Sequence, residues 1–151
     1  MNEIKKFIEI LEGQKENLTL FIDIAKSKQK ALLENDRELF DKILKDEEFY
    51  ISKLTRSEKE KKRVLKQIFG RNLTDQERKI ANLVKLLSQY APEKESKQIK
   101  SLQLSLRDLA EELSKINNQN MFLIRNARQF LIDTINTLMN EKRASIFDRK
   151  V

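Results

Sequence analysis

Apolar residues recur along nearly the whole chain at steps of three and four. From Asn2 to about Glu34 the stripe is Ile4, Ile8, Leu11, Leu18, Ile22, Ala25 and Leu32, interrupted by Lys15 and Gln29. That step is a coiled-coil-like seam on a helix. Within "LTLFIDIA", Leu20 and Ile24 fall on the side opposite Ile22. A helix that is apolar nearly all round is buried on two sides, so this stretch is expected at the centre of a bundle. A second stripe of Phe40, Ile43, Leu44, Tyr50, Ile51, Leu54, Val64, Leu65 and Ile68 predicts a helix over about 36–69. Ile80, Leu83, Val84 and Leu87 share one face of a short third helix, about 75–90. A fourth runs over about 93–147.

The breaks carry helix-boundary chemistry. Asn35 with Glu38 has the spacing of a capping box, so Asn35 is the expected cap of helix two. Gly70 stands where a left-handed residue closes a helix. Thr74 with Glu77 is a second capping box, with Asp75 favourable to the helix dipole. Ala91-Pro92 ends helix three, and Pro92, Glu93 and Glu95 suit the first turn of helix four. With only two glycines and one proline, the chain lacks the turn material of a sheet protein. The expected fold is all-α: an elongated antiparallel bundle of about four helices with coiled-coil-like packing and a long C-terminal helix, forming a single helical domain over residues 1–151. Helix four at about 80 Å outruns helices one and two at about 50 Å, so it is expected to protrude or kink.

One stretch of helix four breaks local propensity. Four amides, Asn117 to Asn120, interrupt a helical pattern although Asn is a poor helix former. At about 100° per residue, Asn118 and Gln119 fall on the polar side, while Asn117 and Asn120 fall within the apolar face. Beyond them, Leu123, Ile124, Ala127, Phe130, Leu131, Ile135 and Leu138 share one broad face. Met121, Ile132 and Met139 widen it to roughly 200°, where one core contact needs about 100°. Arg128 is the main charged residue on it. A face this wide is either buried between two layers or kept partly free for a partner helix. Asn117 and Asn120 are expected to divide the bundle-packing half of helix four from a partner-binding half, 117–147.

Composition narrows the chemistry. Charged residues make up 36% of the chain, against roughly 25% in an average soluble domain, as in long solvated helices. The net charge of +7 comes from 31 Lys and Arg interleaved with 24 Asp and Glu. The most basic stretch, Arg56 to Lys66, has no aromatic platform for stacking on bases, and Glu58 and Glu60 stand within it as helix-spaced partners. It reads as a solvated face rather than a nucleic-acid surface. There is no His and no Cys, which removes the commonest acid–base groups, nucleophiles and soft metal ligands. No calcium-loop spacing and no glycine-rich phosphate loop appears. No enzyme, no cofactor, no metal and no small-molecule substrate is expected. No stretch is long and apolar enough to span a membrane, and the N-terminus carries no secretory signal pattern, so a cytoplasmic location is expected.

Three stretches resemble the FlgN-type flagellar export chaperones. "FIDIAKSKQKALLENDRELFDKILKDEEFYISKL" is similar to the family's first helical hairpin, with Ala25, Lys28, Gln29, Ala31 and Leu32 as its A-x-x-K-Q-x-A-L segment and Asn35-Asp36 at the turn. "ERKIANLVKLL" resembles the short middle helix. "LAEELSKINNQNMFLIRNARQFLIDTINTL" resembles the final helix, in which a pair of asparagines precedes an apolar stretch. The resemblance implies a cytoplasmic, non-enzymatic, all-helical chaperone. Its partners would be the C-terminal regions of hook-associated junction proteins, delivered to the flagellar type III export gate and its ATPase. The implied contact lies on the last helix, here Asn117 to about Phe147. The competing reading is a basic helical coiled-coil adaptor or nucleic-acid-binding module.

Overall fold

The computed structural model describes residues 2–150, with side chains as far as Arg143. Four helices follow one another: α1 (Asn2–Glu34), α2 (Arg37–Phe69), α3 (Ile80–Leu87) and α4 (Glu93–Lys150). Among the described residues there is no strand.

α1 is the common partner: α2 and α4 both pack on it, and α3 packs on α4. α1 and α2 form an antiparallel hairpin, shown by Gln14 bonding Glu58 near one end and Lys28 bonding Glu47 near the other. α4 runs in the same direction as α1, since Gln98 meets Glu12, Lys26 meets Glu112, and Gln29 meets Gln119.

The main core lies at the end of the bundle where α3 sits. Phe7 and Leu11 of α1, Val64 of α2, Leu83 and Leu87 of α3 and Ile99 of α4 are fully enclosed there. A smaller second core joins Ile22 and Ala25 of α1 to Ile116 of α4, with Leu109 and Leu113 against it. The seam that Lys15 interrupts in sequence is carried by Gln14, which is buried and donates to Glu58 Oε1 at 2.8 Å.

Packing around α1 is one-sided at two places where the apolar pattern predicts more. In the stretch expected to be buried on two sides, Phe21, Ile22 and Ala25 are buried, Leu18 and Ile24 are half-buried, and Leu20 faces solvent. Among the described residues only two helices flank α1, so its third side stays wet. Likewise Leu44 and Ile51 of the α2 stripe are exposed, because α2 has α1 alone as its close neighbour over that length.

The α1–α2 turn differs from the expected cap. Asn35 is left-handed, with φ 53°. Its N–H donates to Leu32 O and the Asp36 N–H donates to Ala31 O at 2.9 Å, the paired closure of a Schellman motif. Asn35 therefore ends α1. Asp36 caps α2, its side chain accepting from the Leu39 N–H at 3.1 Å. Asn tolerates the left-handed conformation better than most side chains, which frees Asp36 for the cap.

Helix three is shorter than its expected span of 75–90. The Thr74–Glu77 capping box forms, with Thr74 N–H to Glu77 Oε1 at 3.0 Å and Glu77 N–H to Thr74 Oγ1 at 3.2 Å. It closes a single turn, and Lys79 then adopts an extended ψ of 143° before Ile80 opens the helix proper. This redirection lets Leu73, before the turn, and Leu83, after it, enter the same core. Residues 88–90 continue as turns rather than helix.

Candidate partner-binding site

α4 has 58 residues against the 33 of α1, which makes it longer by about 37 Å at 1.5 Å per residue. The excess extends past the hairpin. Ala127 lines a pocket with Ala31, Leu32, Asn35 and Phe40, so it stands level with the α1–α2 turn. From Arg128 to Arg143 every residue is exposed.

The expected boundary pair behaves unequally. Asn117 is half-buried. Asn120 is 2% exposed, and its Nδ2 donates to the backbone carbonyl of Ala25 at 2.9 Å. Its Oδ1 is enclosed without a hydrogen-bond partner. The helix continues unbroken through all four amides. Of the pair on the polar side, Gln119 accepts from Gln29 Nε2 at 3.1 Å.

Beyond Asn120 the face opens step by step. Leu123 is half-buried and Ile124 is just exposed. Ala127, Phe130, Leu131, Ile135 and Leu138 are all exposed, Phe130 by 73%. Of these residues, the pocket at the turn gathers Ala127 alone against the hairpin. The side chains of 144–147, part of the expected partner-binding half, lie outside the described residues.

These residues share a direction with the α1-facing side of α4. Taking Asn120 as zero and turning about 100° per residue, Leu138 returns to about 0°, Ala127 and Leu131 lie about 20° to either side, and Ile124 lies at about 40°. The stripe that packs on α1 through Ile116 and Asn120 thus runs on after α1 ends. Exposed apolar rows of this size mark interaction surfaces in soluble proteins.

A neighbouring surface was less legible in the sequence. Phe122 and Leu33, both well exposed, line a groove of about 890 Å³ with Gln29, Asn118 and Gln119. Phe122 falls outside the stripe on the wheel, and Leu33 joins it and Leu123 in this groove only through the tertiary fold.

The hairpin motif acquires physical roles. The Ala25 carbonyl receives Asn120, Gln29 bonds Gln119, and Ala31 is buried. Lys28 reaches the other way, pairing with Glu47 of α2 at 3.1 Å from a half-buried position and lying over the Phe40 ring. The motif ties both neighbours to α1.

Several ion pairs elsewhere are local. In the basic stretch of α2, Arg63 pairs with Glu60, and Lys61 stands 3.9 Å from Glu58. Burial pushes the Lys61 ammonium below its usual range, and Glu58 partly opposes this. The Glu77 carboxylate, held by Arg71 and the Thr74 backbone, is lowered to about 2. Among the described residues, no group of three or more His, Cys, Asp or Glu could hold a metal ion, and no helix is long and apolar enough to cross a membrane.

The fold and this face define an all-helical bundle whose last helix extends beyond its own partners. A family model described as FlgN protein matches residues 1–147, and the chain belongs to that family. Membership implies the role of a flagellar export chaperone, in a family that is non-enzymatic. No curated protein matches the chain, and no solved structure does.

Proposed function

We propose that the protein is a cytoplasmic chaperone of flagellar type III export that holds the C-terminal helical segments of hook-associated junction proteins on α4 and delivers them to the export gate. The observation that supports this is the exposed apolar face of α4 from Ile124 to Leu138, continuous with the face that packs on α1. An amphipathic helix from the cargo is the natural cover for such a row, since it buries apolar side chains at i, i+3, i+4 and i+7 against a matching stripe. While bound, the cargo's own sticky helix is kept from aggregating, and α4 is relieved of its exposed surface.

The test is calorimetry of the full chain with the C-terminal segment of a hook-associated protein, wild type against Leu131→Asp. Binding with a negative heat-capacity change, lost in the variant, supports this reading. Undiminished binding by the variant overturns it. The basic-module alternative predicts instead an affinity for nucleic acid that falls steeply with salt.

A further inference from the structure

The chaperone reading leaves open how a cargo helix lies on α4 and which residues it must carry. Two features bear on both.

The first is a vacant track. α1 covers the Asn120 side of α4 as far as the turn, where Asn35 ends the helix and Asp36 starts α2 back along the bundle. Ala127 stands at the turn itself, and Leu131 and Leu138 prolong that same side beyond it, both exposed. A helix laid there continues the line of α1, with the same stripe beneath it.

The second is charge. Between Met121 and Arg143, Arg125, Arg128, Lys142 and Arg143 stand against two carboxylates, Asp133 and Glu141. On the wheel centred on Asn120, Lys142 falls at about +40°, Arg128 at about +80° and Arg125 at about +140°, whereas Asp133 points to about −140°. Asp133 is moreover engaged by Gln129 at 3.0 Å on that far side. One edge of the stripe is therefore basic, and only Glu141, at about −60°, opposes it.

We infer that the cargo helix lies in line with α1, one end seated against the Asn35–Asp36 turn, its apolar stripe on Ala127, Leu131 and Leu138 and its acidic side chains along Arg128 and Lys142. The proposal rests on the chaperone reading. The apolar contact supplies most of the affinity, and the charged edge selects the partner and its rotational setting.

The test uses the full chain, the C-terminal segment of a hook-associated protein, and three variants. In calorimetry at low salt, Arg128→Glu with Lys142→Glu weakens binding by about tenfold. Reversing the acidic flank of the segment to Lys restores it. An unchanged affinity in the double variant, while Leu131→Asp still abolishes binding, overturns the acidic-flank assignment and leaves the chaperone reading standing. Loss of no affinity in any variant overturns both. Because the chain has no Cys, Asn35→Cys gives a single site for a nitroxide label. Broadening of the isotope-labelled segment confined to one end supports the in-line seat. Uniform or absent broadening in a segment that binds overturns it.

Discussion

Asn120 Nδ2 donates to the Ala25 carbonyl at 2.9 Å across the interface of two parallel helices, 95 residues apart in sequence. A helical carbonyl already engaged by its own ladder keeps a second lone pair, and Asn120 uses it. The bond is enclosed, and it lies near the last point at which α4 is covered by α1. It acts as a register pin, as buried Asn does in coiled coils.

Replacing Asn120 by Ala removes that bond and leaves a small void. The expected cost is about 1–2 kcal/mol, read from the urea midpoint. Asn120→Asp is expected to cost more, because it sets a buried carboxylate against a carbonyl oxygen. An Asp variant as stable as wild type at neutral pH would remove the buried-bond account.

Phe130 and Leu131 are both well exposed, by 73% and 58%. Phe130→Ala and Leu131→Asp should therefore leave the unfolding midpoint within about 0.5 kcal/mol of wild type, while cargo binding drops. A large loss of stability in either variant would mean that α4 folds back on its own chain in solution.

The Lys28–Glu47 pair joins α1 to α2 from half-buried positions. Lys28→Met leaves Glu47 half-buried without its partner and should cost about 1 kcal/mol or more. The double variant Lys28→Met, Glu47→Leu should recover most of it, because no charge is left partly desolvated. Additive losses in a double-mutant cycle would show that the pair is not coupled.

Gly70 closes α2 at φ 70° with open space around its Cα. Gly70→Ala meets no clash, so its cost is the backbone term alone, about 1 kcal/mol, with cargo binding unchanged. Thermal melts and calorimetry on the same sample would separate the two.

Glu77 is the acid-sensitive group of the α2–α3 connection, its carboxyl lowered to about 2 by Arg71 and by the Thr74 N–H. A depressed carboxyl contributes stability that is complete above its ordinary value near 4.5 and is lost as pH falls through that range towards 2. In Glu77→Gln, the fall in stability between these limits should be shallower than in wild type. Parallel curves would show that the Arg71 pairing adds nothing in solution.

Much of this architecture is legible in the sequence. Steps of three and four, long runs without Gly or Pro, and the turn residues at 35–36, 70–74 and 91–92 determine four helices and their order, because these signals act within a few residues. The width of the face after Asn117 likewise announced a surface larger than one contact needs. Local chemistry alone did not decide between neighbours that could play the same role. Asn35 and Asp36 can both cap, and the cap fell to Asp36 once Asn35 had closed α1. The Thr74 box nucleates a helix, and the core's demand for both Leu73 and Leu83 broke it at Lys79.

What only the tertiary structure decided is which apolar side chains stay wet and what the polar ones hold. Leu20, Leu44 and Ile51 have the pattern of core residues, yet α1 has two flanking helices rather than three. Asn120 has the pattern of a misplaced amide, yet it finds the Ala25 carbonyl. Ile116 and Leu131 occupy the same face of α4 with the same hydrophobicity, and only the end of α1 between their levels makes one a core residue and the other a free surface. A stripe's existence follows from spacing along one helix. Its burial depends on where another helix stops, and that is set by contacts far apart in the chain.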